Sequence, residues 1–240
     1  DGGEIVLHEP TMVAVDVEQM KIVEVGQAAR EMDGRVPEVI EVMRPVRDGV
    51  IAEFEVTMRM LRIYVEKVCG PARLFKPRVM ITVPFGVTSV ESRAVHEAAL
   101  QAGSREVHLI QEPLAAAIGV GLPIATPSGN LVVVLGGGVT QAAVMAMSGI
   151  VVADAVRVGG SKVDDAIASY VRRKYGLLIS QRTAEEAKIR IGAALPEEEE
   201  RTLEVQGQDQ VTGLPRPITL TTNEVVEALQ ETLNLQLVAV

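Results

Sequence analysis

The chain has 240 residues, enough for one large domain or two modest lobes with a real core. Nearly half of it is apolar, yet aromatic residues are only 2% and tryptophan is missing, so the core must be built from Val, Ile, Leu, Ala and Met, which favours an α/β architecture. A net charge of -9 excludes a general nucleic-acid binder, and the single Cys69 excludes an internal disulfide or cysteine-built metal site and fits a reducing cytoplasm.

The first residues, Asp1-Gly2-Gly3-Glu4, have neither the basic region nor the apolar core of a secretion signal. From Glu4 to Asp16 the apolar residues alternate around Pro10, which predicts strands about a bend, and Lys21 to Val25 predicts another. A short helix over 28–32 stops at Gly34, a strand follows over 39–42, and Arg44-Pro45 with Asp48-Gly49 mark a loop. Over 55–68 Val56, Met60, Leu61, Ile63, Tyr64 and Val68 recur at helical spacing until Gly70-Pro71. A strand over 78–83 is closed by Pro84. Ser89 opens a helix to about Ala102, with Ser92 making only a partial capping box. A strand over 107–110 leads into an Ala-rich helix over 113–120.

The loop over 123–129 is the expected change of lobe, giving a first lobe over 1–125 and a second over 126–240. Leu131–Leu135, Ala142–Met147 and Ile150–Val158 read as three strands joined by a glycine turn and a Ser148-Gly149 hairpin. Those turns interrupt an otherwise long apolar span and exclude a membrane helix there. Helices are predicted over 163–175 and 183–193, the second capped by Thr183 with Glu186 at the box position. Glu197 to Glu200 is a solvated acidic loop. Strands at 203–205 and 218–220 flank the Gly213-Leu214-Pro215 turn, and a last helix runs from Glu224 to Val240. His8, His96 and His108 are scattered without ligand spacing, and no internal repeat is present.

Two segments carry candidate chemistry. In Gly136-Gly137-Gly138-Val139-Thr140 the missing Cβ atoms let backbone N–H groups approach phosphate oxygens; a tight β-turn is the other reading of the same residues. Leu74 and Phe75 follow Gly70-Pro71 and are framed by Arg73, Lys76 and Arg78. Either they dip into an anionic membrane surface or they cover a sheet edge as ordinary core.

Six segments in order resemble the MreB family of bacterial actin-like, shape-determining proteins. They are Arg44-Pro45-Val46-Arg47-Asp48-Gly49-Val50-Ile51-Ala52, Phe75-Lys76-Pro77-Arg78-Val79-Met80, Gln111-Glu112-Pro113-Leu114-Ala115-Ala116-Ala117-Ile118-Gly119, Arg157-Val158-Gly159-Gly160, Arg182-Thr183-Ala184-Glu185 with Lys188, and Thr212-Gly213-Leu214-Pro215. The resemblance implies an α/β, actin-like (ribonuclease H-like) two-lobed ATPase fold, incomplete at both termini, with small subdomains at about 14–47 and 161–222. It implies ATP and Mg²⁺ as ligands, with Gly136, Gly137, Gly138, Val139 and Thr140 at the phosphates. Glu185 and Lys188 fall on the sugar side, or form a surface i,i+3 pair. Glu112 polarises the attacking water, or serves as a helix N-terminal carboxylate that favours the dipole. Leu74 and Phe75 match a loop that contacts the membrane in relatives.

The sequence also departs from the family pattern. Val134 stands where relatives carry a metal-site Asp, Val139 and Gln141 replace an expected Thr and Glu, Ser161 and Lys162 replace acidic residues, and Gln111 replaces a commonly acidic neighbour of Glu112. An isopropyl group offers Mg²⁺ no oxygen ligand, so no protein metal ligand is assigned. Two further nucleotide loops of the family would fall before Asp1 and after Val240. The implied role is cell-shape determination by self-assembled filaments, peripheral at the inner face of the cytoplasmic membrane, that guide cell-wall elongation proteins. No nucleic acid is expected as partner, and any ATPase activity is at most weak and serves polymerisation. Rivals are a nucleotide-dead paralogue or fragment, a chaperone-type ATPase lobe, and a small-molecule kinase of the same superfamily.

Overall fold

The computed structural model describes residues 4–70 and 76–240. The chain forms two compact units, residues 1–115 and 116–240, which meet in sequence inside one helix.

In the first unit β1 (Val13–Asp16) is the centre of a three-stranded antiparallel sheet, between β2 (Lys21–Val25) and β3 (Ile40–Met43). Period-two alternation sorts its residues onto two faces. Val13 and Val15 pack with Val25 and with Met60 of α2 (Phe54–Cys69), whereas Met12 and Ala14 pack with Ala29 of α1 (Gln27–Met32). Fully burying a Val or Met side chain stabilises by about 1.5–3 kcal/mol, which anchors the sheet between its helices.

The segment expected as a loop around Asp48-Gly49 is a hairpin of β4 (Val46–Arg47) and β5 (Val50–Ile51). Asp48 and Gly49 take φ of 49° and 78°, the two left-handed residues that a two-residue hairpin turn demands. Next, β6 (Arg78–Val83) pairs in parallel with β7 (Glu106–Gln111) through the crossover helix α3 (Ser89–Gln101). The cap of α3 lies one residue earlier than expected: Thr88 is the cap and Glu91 completes a full capping box, because the chain turns at Thr88 and leaves Ser89 inside the helix. Helix α4 (Glu112–Gly119) begins directly at the end of β7.

In the second unit β8 (Asn130–Leu135), β9 (Thr140–Ala146) and β10 (Gly149–Val156) form an antiparallel sheet in the order β10-β9-β8. The apolar span of 131–156 is thus folded into strands, and among the described residues no helix is long and apolar enough to cross a membrane. Along β8, Leu131, Val133 and Leu135 face outward while Val132 and Val134 are half-buried.

The rest of this unit is a helical layer on a second sheet. Helix α5 (Gly160–Tyr175) presents Val163, Ile167 and Val171 at i, i+4 and i+8; α6 (Gln181–Ile191) presents Ala184, Ala187 and Ile191. These pack with β11 (Leu177–Leu178), β12 (Thr202–Asp209), β13 (Pro215–Thr221) and α7 (Thr222–Leu237) around Leu177, Val205, Leu220, Val225 and Leu229. Ser180, not Thr183, caps α6: its side chain accepts from the Thr183 N–H. Thr221 and Glu224 form a full capping box on α7.

Candidate functional site

Strand β8 ends at Leu135 and the chain reverses over Gly136–Gly138 into β9. The Gly136 N–H closes the reversal by donating to the Val139 carbonyl at 2.9 Å. A second glycine pair, Gly159-Gly160, stands between β10 and α5 and lies directly against the first. The Gly160 N–H donates to the Gly136 carbonyl at 3.0 Å and the Ser161 N–H to the Gly137 carbonyl at 2.8 Å. A Cβ at Gly159 would fall 2.5 Å from the Gly136 oxygen and 2.7 Å from the Gly137 carbonyl carbon, so only glycine permits this approach. At Gly137 a Cβ would meet nothing within 4 Å.

The turn therefore spends its carbonyls on the start of α5. Among the described residues none accepts a hydrogen bond from the N–H of Gly137 or Gly138. Two adjacent unspent amides on an open glycine turn fit an anionic group such as a phosphate.

Val139 and Thr140 are buried beneath the turn. The Thr140 hydroxyl donates to the Val158 carbonyl at 2.7 Å and accepts from Gln236 Nε2 at 3.0 Å. It ties the start of β9 to the strand exit before Gly159 and to α7. Gln141, also buried, stands opposite Val134 in the β8–β9 register. Ser161 and Lys162 occupy the first turn of α5. Lys162 is exposed, 4.0 Å from the Asp165 carboxylate.

Glu185 and Lys188 lie one turn apart on α6, both half-buried. Lys188 Nζ donates to the Gly160 carbonyl at 3.0 Å and pairs at 2.7 Å with Asp164 of α5, whose side chain is 3% exposed. Asp164 was not singled out in the sequence: it stands 24 positions before its partner, and only the packing of α5 on α6 brings the two together. Gly136–Gly138, Gly159-Gly160, Ser161, Asp164 and Lys188 thus form one contiguous cluster. Glu112, the first residue of α4, is half-buried in the first unit, followed by the fully buried Pro113. Leu74 and Phe75 lie outside the described residues.

The donor set does not suit a protein-ligated cation. Val134 offers no oxygen, and among the described residues no three His, Cys, Asp or Glu side chains converge to hold a metal.

A hairpin sheet whose glycine turn abuts the glycine start of the next helix, in a chain of two α/β units, matches the actin-like fold. MreB5 of Spiroplasma citri bound to AMPPNP superposes with a TM-score of 0.88 at 31% identity, over 97% of this chain and 70% of that one. The MamK double helical filament shares the fold at a TM-score of 0.72 and 20% identity. The MreB/Mbl protein family profile matches residues 1–240. Among relatives, the cell shape-determining protein Mbl of Bacillus cereus is 46% identical over 96% of this chain and 69% of its own length. The cell shape-determining protein MreB of Escherichia coli K12 is 47% identical over 97% of this chain and 68% of its own. The chain belongs to the MreB/Mbl family of actin-like, cell shape-determining proteins. A match along the whole of this chain to that family leaves nothing in favour of the chaperone or small-molecule kinase rivals.

Proposed function

We propose that this chain determines cell shape by assembling with copies of itself into filaments on the inner face of the cytoplasmic membrane, where they guide cell-wall elongation proteins. The observation that carries this reading is the 46–47% identity to cell shape-determining proteins along 96–97% of the chain. The reading uses a first lobe over 1–125 and a second over 126–240.

ATP is the ligand of this reading; a structural relative, MreB5 of Spiroplasma citri, is bound to AMPPNP in one structure and to ADP in another. Bound nucleotide supplies the phosphates whose state regulates assembly. The unspent amides of Gly137 and Gly138 receive phosphate oxygens, while Gly136, Val139 and Thr140 hold the turn in shape. Glu185 takes the sugar side; Lys188, expected beside it, is engaged with Asp164 and Gly160. Glu112 orients a water through its carboxylate. With Val134 in place of a carboxylate, any Mg²⁺ arrives with the phosphates and gains no direct ligand from that position, so turnover is slow at best. That substitution also favours a second reading, a filament whose pocket binds nucleotide without hydrolysing it.

Leu74 and Phe75 insert into the membrane surface, with Arg73, Lys76 and Arg78 meeting anionic headgroups. Co-sedimentation with anionic liposomes, with and without ATP and beside a Leu74→Ser/Phe75→Ser control, tests the whole reading. The expected result is pelleting that requires both ATP and the loop. Pelleting that needs the loop but ignores ATP selects a scaffold with an inert pocket, and no pelleting in any arm overturns the reading.

A further inference from the structure

We propose that Lys188 is a positioning residue for the phosphate turn, acting through Asp164 and Gly160. The inference rests on the nucleotide-binding reading for its purpose, though its geometry stands without any ligand.

The ammonium group of Lys188 has its partners inside the protein. It donates to the Gly160 carbonyl at 3.0 Å and pairs with Asp164 at 2.7 Å. Asp164 lies on the inner side of α5 with its side chain 3% exposed, so it cannot exchange Lys188 for water without a large desolvation cost. Lys188 itself keeps only 26% of its side-chain exposure, so the pair is largely shielded from water.

What Lys188 holds is the first turn of α5, and that turn holds the phosphate loop. Gly160 offers its carbonyl to Lys188 and its N–H to the Gly136 carbonyl, while Ser161 donates to Gly137. The two segments are so close that residue 159 must be glycine, since a Cβ there would lie 2.5 Å from the Gly136 oxygen. A Cβ at Gly160 would sit 3.3 Å from Lys188 Nζ, so ammonium and backbone are packed together as well as bonded. The order of dependence is therefore α6 to α5 to the turn. If the lysine is lost, the carbonyls of Gly136 and Gly137 lose a fixed donor platform, and the amides of Gly137 and Gly138 lose their aim.

The test uses the full chain and the variants Lys188→Met, Lys188→Arg and Asp164→Asn. Where Lys188→Met fails to fold, the neutral pair Lys188→Gln/Asp164→Asn removes both charges without stranding a buried carboxylate. Amide hydrogen exchange is followed without nucleotide in peptides covering 136–140 and, as an internal reference, 202–209. ADP and adenosine affinities are measured by calorimetry. Losing either partner should speed exchange in 136–140 while leaving 202–209 unchanged. It should also weaken ADP about tenfold, the size of one charge-assisted hydrogen bond, and weaken adenosine far less. Lys188→Arg should recover most of both effects. The inference is overturned if exchange in 136–140 does not move, or if Lys188→Met weakens adenosine and ADP equally while Asp164→Asn does nothing. A chain that binds neither ligand would sink the nucleotide reading alone, and the exchange measurement would still decide the role of Lys188.

Discussion

Gly159 and Gly137 sit on either side of one contact and should answer differently to a methyl group. At Gly159 the added carbon would lie 2.5 Å from a backbone oxygen, which cannot swing aside as a side chain could. Gly159→Ala should therefore force α5 away from the turn, lowering stability by about 1–3 kcal/mol and weakening ADP binding. Gly137→Ala meets open space, so its stability should stay within about 0.5 kcal/mol of the parent. Its methyl group would nevertheless stand beside the two unspent amides, so ADP affinity should still fall. Chemical denaturation and calorimetry on the two variants check this split; equal losses of stability would refute it. The glycines were legible in the sequence as glycines, and which one was indispensable was not, because that depends on an approach between segments more than 20 residues apart. Thr140 shows the same limit: its position was singled out for ligand contact, yet its hydroxyl is shared between Val158 and Gln236.

At the level of elements, the join between α5 and α7 is a charged network centred on Glu224. This carboxylate closes the capping box with Thr221, pairs with Lys174 at 2.8 Å and accepts from the Tyr175 hydroxyl. Burial alone would raise its pKa, but the hydrogen bonds from Lys174, Tyr175 and the Thr221 N–H prevail and hold it below its ordinary value of 4.5. A folded-state value below the unfolded one gives stability that is complete above 4.5 and lost as pH falls through the lower value. Tyr175 works from the other end. The hydrogen bond to Glu224, then burial, push it up to about 12, so its contribution is full below 10 and lost as pH rises through 12. Glu224→Gln should cost about 1–3 kcal/mol at neutral pH, and the gap to the parent should close as the solution is taken below 4.5. Urea midpoints across pH test this, and a gap that persists unchanged in acid would count against it. Most elements on which this network rests were readable from periodicity: Lys21–Val25 came out at its true bounds, and the helices within a few residues. The caps were harder, because Thr88 and Ser89 are both competent and only the path of the chain chooses between them. Leu177–Leu178 leaves no signal in the sequence, because two residues carry no period.

For the molecule as a whole, charge sets the terms of assembly. Copies carrying a net charge of -9 repel one another at long range, and the Debye length shrinks from about 30 Å at 0.01 M salt to about 8 Å at 0.15 M. Filament formation without vesicles should therefore increase as salt is raised over that range, with pelleted mass as the readout; a monotonic decrease would show that attractive charge pairs dominate the contact between copies. One strand bears on how such a pellet is interpreted. Among the described residues the segment Asn130–Leu135, without charge or proline, lies at the end of its sheet in the order β10-β9-β8 and turns Leu131, Val133 and Leu135 outward. Those are the attributes of a segment that templates cross-β stacking with its own kind. Heat, acid or prolonged concentration should consequently divert this chain into thioflavin-positive deposits that survive dilution, whereas actin-like filaments would dissolve on it. A lysine in place of Val133, on the outward row of that strand, is the least intrusive way to keep the two kinds of particle apart.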